Sequence, residues 1–312
     1  MNLARPDDSR DDEREPTCDV AIATDRTVPH LDPDNAHLLA EFERRGRRAR
    51  PVVWDDPAFD AGDVRVCVVR STWDYLDRRD EFLAWAERTA ERTSLWNRPA
   101  TLRWNSHKRY LEDLSRRGVP ILPTEFVERG ADAVLRDVLE DRGWAEAVVK
   151  PAVSASGRDT FRVSARGGAI ESAGDRFAEL VSRRDVLVQE FQPAVERSGE
   201  LSLVYVDGRF AHAVRQTPRE GEFRVQREFG GRLERVRPET AALLIGDRVL
   251  EAGPAAPLYA RIDLLTDLRG ELRLNELELI EPCLHLAVAP DTVARLADAI
   301  LARTEERAPW LR

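Results

Sequence analysis

At 312 residues, with 42% hydrophobic and 34% charged side chains, the chain has the composition of a globular protein large enough for more than one module. A formal net charge of −9 disfavours nucleic acid and anionic membranes as partners, so bound phosphate would have to be held by a few focused lysines and arginines. No apolar run approaches the roughly 20 residues that a membrane span needs. Cys18, Cys67 and Cys283 are odd in number and far apart, which excludes a disulfide framework or paired-cysteine zinc site. They are expected to be reduced, buried side chains of a cytoplasmic protein. Residues 1–16 are rich in Asp, Glu and Arg and lack the apolar stretch of a secretory signal, so they read as a disordered tail.

In chain order, 19–24 reads as a buried strand, 34–46 as a helix with an Asp cap and a glycine stop, and 64–69 as a second strand. This opening predicts a parallel α/β module over 17–99, with ligands beyond the carboxyl ends of its strands. The loop after Val69 carries Arg70, Ser71, Thr72, Trp73 and Asp74, side chains able to meet a substrate bearing both carboxylate and amine groups. An Arg–Asp surface pair with Trp73 packed on the core explains the same residues.

A helix over 80–93 and a short strand from Leu95 bring the chain to Pro99, where a boundary is expected. The next helix is predicted over 106–118, with Ser106 as N-cap and Gly118 as its stop. Lys108 then falls in the first turn, where a cation opposes the helix dipole unless a bound anion shares the site. Strands at 121–127 and 147–150 flank a helix at 131–142, and 160–163 returns after a loop, giving a second module over 100–185. Lys150 ends an apolar strand and leads into Ser154, Ala155, Ser156 and Gly157, small residues that let backbone N–H groups approach a phosphate.

The last module is placed at 186–312. The strand 186–191 ends Gln189, Glu190, Phe191 and could offer backbone groups to an adenine edge, although an ordinary core strand reads the same way. From Gly199 the pattern becomes antiparallel: 200–206 and 209–215 flank Asp207-Gly208, a hairpin signal. A helix at 238–252, paired strands at 258–265 and 271–280, and a helix at 291–303 complete the chain. Alternation puts Glu276 and Glu278 on one strand face with Leu272, Leu274 and Ile280, and puts Asn275, Leu277 and Glu281 on the other. Two carboxylates on an apolar face repel unless a cation joins them, and Asp263 supplies a third. Oxygen donors alone suit Mg²⁺ rather than zinc, while an exposed acidic edge or local Arg pairing is the other explanation.

The Walker A, dinucleotide-fingerprint, G-x-S-x-G and H-E-x-x-H patterns are absent. The order of the remaining features, together with VVRSTWDY (68–75), LRWNSHKRYL (102–111), VVKPAVSASG (148–157), VLVQEF (186–191), GELSLVYVDG (199–208), GEFRVQREFGG (221–231) and ELELIEP (276–282), resembles the ATP-grasp family. It is most similar to the glutathione-synthetase-like branch that contains the D-cycloserine-forming ligases. The resemblance implies an α/β ATP-grasp fold: an N-terminal parallel pre-ATP-grasp domain, a small central lid domain and a C-terminal antiparallel sheet domain.

It also implies roles. Lys108 and Lys150 would hold ATP phosphates, Ser154, Ser156 and Gly157 would belong to the lid loop, and Glu190 and Phe191 would face adenine. Arg215 and Arg224 would stabilise the transferring phosphoryl group, and Asp263, Glu276 and Glu278 would hold Mg²⁺. Glutathione synthetases carry asparagine where Glu278 stands, so their metal count and thiol-peptide substrate do not transfer. The function expected is ADP-forming ligation of a small carboxylate to an amine through an acyl phosphate, by a monomer or homodimer using ATP and Mg²⁺. Intramolecular ring closure, as in cycloserine formation, and a non-catalytic nucleotide-binding regulator are the alternatives.

Overall fold

The structure, a computed structural model, describes residues 16–305; the tail read at 1–16 lies outside them apart from Pro16. The N-terminal unit comprises β1 (Cys18–Thr24), α1 (Pro33–Arg44), β2 (Ala49–Val53), β3 (Val64–Ser71), α2 (Arg79–Ala90) and β4 (Ser94–Trp96). Its strands form a parallel sheet in the order β2-β1-β3-β4. The cap of α1 is Asp32, not Asp34: its carboxylate accepts from the backbone N–H of Asp34 at 2.8 Å, with Pro33 at the first helical position. β2 had no sequence signal because it is an edge strand, where Arg50 and Pro51 are tolerated and only Val52 is buried.

Two short helices follow, α3 (Pro99–Asn105) and α4 (Tyr110–Arg116), in place of one helix over 106–118. Ser106 is therefore the C-cap of α3 and not an N-cap, and Lys108 sits in the break between the helices. The Lys108 N–H donates to the Ala152 carbonyl at 2.8 Å, which holds the turn against the later lysine loop.

The central unit contains β5 (Thr124–Val127), α5 (Leu135–Arg142), β6 (Glu146–Pro151), β7 (Phe161–Ser164), α6 (Ala169–Arg183) and β8 (Val186–Glu190), with antiparallel sheet order β5-β8-β6-β7. A division after residue 185 would separate β8 from the sheet to which it is bonded. α6 went unread because Gly167, Gly168 and Gly174 interrupt the pattern. Its Ile170, Phe177 and Val181 nevertheless form a helical stripe buried with Leu135, Leu139 and Val188.

After α7 (Val195–Ser198), the strands β9 (Glu200–Val206), β10 (Arg209–Thr217) and β11 (Arg232–Val236), the helix α8 (Thr240–Ala252), and the strands β12 (Tyr259–Thr266) and β13 (Leu272–Glu278) precede the closing α9 (Pro290–Ala302). The five strands form an antiparallel sheet in the order β11-β10-β9-β12-β13. Asp207 and Gly208 turn the β9–β10 hairpin with φ of 53° and 70°, as a primed turn requires. One core joins Val20, Ile22, Val66 and Val68 of the parallel sheet to Val204 and Val206 through Leu296 and Ile300 of α9. Side chains also stitch the units together. Buried Asn97 donates to the carbonyls of Tyr259 (3.0 Å) and Leu279 (2.7 Å), and Asn105 exchanges two 2.8 Å bonds with Leu277 and Leu279, covering the free edge of β13.

Candidate active site

A cleft opens between the central and C-terminal sheets, and Lys108, Lys150, Asp263, Glu276 and Glu278 all line it. Lys150 ends β6 as expected, and Lys108 reaches the cleft from the break before α4. The ammonium groups converge on one carboxylate: Lys150 Nζ lies 2.9 Å from Oε1 of Glu276 and Lys108 Nζ 2.9 Å from Oε2. Burial alone would raise the pKa of Glu276, but the two lysines outweigh it and hold this carboxyl well below the usual range. Lys108 shows the reciprocal effect, with burial opposed by Glu276 and its pKa raised.

Asp263 and Glu278 are paired with Arg261, a residue that sequence reasoning passed over. Its Nε and Nη2 lie 2.9 Å from the Asp263 carboxylate, Nη2 lies 2.5 Å from Glu278 Oε1, and Nη1 donates to the Cys283 carbonyl at 3.1 Å. Ser202 on β9 adds a 2.6 Å bond to Asp263. The repulsion expected among the carboxylates is thus relieved by the protein's own lysines and arginine. Among the described residues, no group of three His, Cys, Asp or Glu side chains stands ready to hold a metal. Strand alternation from Asp263 would have found Arg261, since residues two apart share a face.

The strict alternation drawn along β13 also fails. The pairing of β12 with β13 shifts between Asp263↔Glu276 and Leu264↔Leu274, leaving Asn275 as an extra residue. Leu272 and Leu274 consequently pack in the core with Leu277 and Leu279, whereas Asn275 joins the glutamates in the cleft and donates to Glu200 at 2.7 Å. The strand ends at Glu278, so alternation no longer governs Ile280 and Glu281. Glu281, assigned to the opposite face, shares a side cleft with Glu278, Ile280 and Lys108. Burial, and then the Glu278 charge, push its carboxyl up to about 8.

Ser154, Ser156 and Gly157 line the main cleft, as do Glu190, Phe191 and Arg224. Gly157 has φ of 65°, and a Cβ there would lie 3.3 Å from Arg224 Cδ, so the small-residue loop abuts the arginine segment. Arg224 pairs with Glu222 at 2.7 Å and lies 3.7 Å over the Phe229 ring. Val148, Phe191, Phe223 and Leu265 give this end of the cleft an apolar lining suited to a heterocyclic base. The N–H groups of Glu190 and Phe191 are already bonded to the Pro123 and Glu146 carbonyls, both at 3.0 Å, which removes them as donors to a base.

Other residues expected at the site lie outside the main cleft. Arg215 does not line the cleft; β10 turns it to the face opposite Ser202, where it donates to the Ser198 carbonyl at 2.5 Å. Arg70, Ser71, Thr72, Trp73 and Asp74 do not line it either. Arg70 is 1% exposed and donates to Asn35 (2.7 Å) and the Pro282 carbonyl (2.7 Å), with its guanidinium over the Tyr259 ring. Ser71 bonds Asp32 at 2.5 Å, and Asp74 accepts from the Trp54 indole at 2.7 Å. Only Tyr75 of that stretch reaches the side cleft. Cys18, Cys67 and Cys283 are free, but Cys283 is exposed rather than buried.

Two antiparallel sheets closing over paired lysines, a small-residue loop and an acidic strand define an ATP-grasp ligase, and the chain belongs to the ATP-grasp family. Residues 120–273 match the ATP-grasp domain of prokaryotic glutathione synthetase, and 20–97 match the N-terminal domain of D-cycloserine synthetase DcsG. Over 299 residues the chain is 32% identical to the cycloserine biosynthesis protein DcsG of Streptomyces lavendulae, spanning 91% of this chain and 98% of that one. The crystal structure of D-cycloserine synthetase DcsG superposes with a TM-score of 0.83 at 31% identity, covering 92% and 99% of the two chains. The ATP-grasp ligase PsnB, complexed with a phosphomimetic variant of its minimal precursor, Mg and ADP, shares the fold with a TM-score of 0.66 at 15% identity, over 93% and 100% of the chains.

Proposed function

We propose that the chain joins a small-molecule carboxylate to an amine with cleavage of ATP to ADP, through an acyl phosphate. The observation that carries this reading is the convergence of Lys108 and Lys150 on Glu276 beneath the small-residue loop. Two buried ammonium groups sharing one carboxylate form a site that a polyphosphate can enter, exchanging one anionic partner for another. Arg224 and Arg261 face the same space and would steady charge on the transferring phosphoryl group, replacing the role expected of Arg215.

Asp263, Glu276 and Glu278 offer hard oxygen donors of the kind Mg²⁺ takes, and their chemistry fits that ion once Arg261 and the lysines yield part of their contacts. Bound there, Mg²⁺ would supply Lewis-acid charge neutralisation on the phosphates. Ser154, Ser156 and Gly157 close over the phosphates and limit water, while Phe191 and the apolar residues beside it seat the base.

Ring closure within one amino-acid substrate is the second reading, favoured by the match to nearly the whole of the cycloserine biosynthesis protein. ADP release with Mg·ATP, measured across amino acids and aminooxy acids singly and in pairs, tests both. Turnover giving a monomeric product one water lighter than a single substrate marks ring closure, and a product that joins two molecules marks intermolecular ligation. Hydroxamate formation with added hydroxylamine reports the acyl phosphate. Nucleotide binding without ADP release on any compound would leave a regulator in place of a ligase.

A further inference from the structure

Gln192 follows Phe191 as the chain leaves β8, lines the main cleft and is 2% exposed. Its side-chain amide is half used. Nε2 donates to two oxygens of Glu190, the backbone carbonyl at 3.1 Å and the carboxylate Oε2 at 3.3 Å. Turning the amide over would set its own oxygen against both of these acceptors, so the two contacts fix its orientation. Oε1 is left buried, with no hydrogen-bond partner among the described residues. A buried carbonyl oxygen without a donor is costly, and the adjoining backbone does not relieve it, because the N–H groups of Glu190 and Phe191 serve the Pro123 and Glu146 carbonyls.

We propose that the side chain of Gln192 selects the base of the nucleotide: Oε1 accepts a hydrogen bond from the exocyclic amine of adenine, which makes the enzyme specific for a 6-aminopurine over a 6-oxopurine. Phe191, Phe223, Val148 and Leu265 supply the apolar seat beside it, which by itself does not tell one purine from another. An amine at C6 donates to the free oxygen and satisfies it, whereas the oxygen at C6 of guanine or hypoxanthine meets it acceptor against acceptor. A site rejects most strongly the ligand that leaves its own buried polar group unpaired. The Glu190 oxygens keep the amide turned so that its carbonyl, and not its amine, is the free end. This inference rests on the nucleotide seat of the ligase reading and adds the residue that chooses the base.

The test is calorimetry on the full chain with Mg²⁺ and three diphosphates, those of adenosine, inosine and purine riboside, which carry an amine, an oxygen and a hydrogen at C6. The wild type is expected to bind ADP about tenfold or more tighter than the inosine compound and severalfold tighter than the purine riboside one. Gln192→Leu keeps the bulk of the side chain and removes both polar atoms. It should bind ADP and the purine riboside diphosphate equally, to within about twofold, and the latter no more weakly than the wild type does. Gln192→Met, also apolar and of similar length, carries the same test should the leucine variant fail to fold. A wild type that does not distinguish ADP from the purine riboside diphosphate, a variant that keeps the wild-type preference, or equal weakening of all three ligands would each overturn the assignment. Failure of the wild type to bind any of the three would instead sink the nucleotide seat and the ligase reading with it.

Discussion

Lys150 donates through Nζ to Oε1 of Glu276 at 2.9 Å, across 126 positions of sequence, and Lys108 takes the other oxygen. Glu276 is therefore a buried counter-ion before it is anything else. Repulsion between Glu276 and Glu278 would have made removal of either charge stabilising, but the observed pairing reverses that expectation for Glu276. Glu276→Gln should lower the unfolding free energy by roughly 3 kcal/mol, because two buried ammonium groups lose their partner. Urea unfolding without nucleotide measures this, and a more stable variant would show that the lysines are neutralised some other way. Lys150→Ala and Lys108→Ala should each weaken ATP binding by roughly 2–4 kcal/mol in calorimetry.

Arg261 pairs with Asp263 and Glu278, two of the carboxylates proposed to hold Mg²⁺. In the wild type, Mg²⁺ without nucleotide should therefore shift Tm little. In Arg261→Met, Asp263 and Glu278 lose their cation, so the protein should be destabilised by roughly 3 kcal/mol and partly rescued by Mg²⁺ alone. ADP release should fall by about 100-fold or more. Arg215→Ala, altering a side chain on the opposite sheet face, should leave ATP affinity unchanged. Equal loss of turnover in both variants would restore Arg215 to the catalytic apparatus.

Arg70 ties the end of β3 to α1 and to Pro282, and its Nη1 is buried without a partner. Arg70→Ala should cost roughly 3 kcal/mol of stability by stripping Asn35 and the Pro282 carbonyl of their donor. Nucleotide KM should hold within about twofold at temperatures where the variant is folded. A raised substrate KM at unchanged Tm would return the 70–74 loop to the substrate site.

Acid sensitivity should come partly from His212, which bonds Thr292 at 2.8 Å in the core beneath α9. Burial, then Arg235, hold its imidazole down at about 4, against 6.5 for an unperturbed histidine. Between those values the unfolded chain binds a proton that the folded chain refuses. The stability is thus complete above about pH 6.5 and is lost as pH falls towards 4, by up to roughly 3 kcal/mol. His212→Gln should flatten that decline in unfolding curves taken at successive pH values. A decline as steep as in the wild type would assign it to other groups.

The sequence by itself determined the buried strands β1, β3, β6 and β8, the hairpin at Asp207-Gly208, the lysines, the carboxylates of β12 and β13 and the small-residue loop. Each is carried by a local pattern of apolar runs, turn residues and charges at strand ends, which survives without knowledge of the fold. Tertiary structure decided what those charges do. One extra residue at Asn275 reversed the faces of Leu272 and Leu274, because a period of two holds only while the ladder is unbroken. That Arg261 lines the cleft and Arg215 does not followed from which sheet face meets the central unit. The burial of Arg70, the two lysines on Glu276 and the raised carboxyl of Glu281 depend on contacts between segments far apart in the chain, and only packing brings those segments within reach of Coulomb and hydrogen-bond forces.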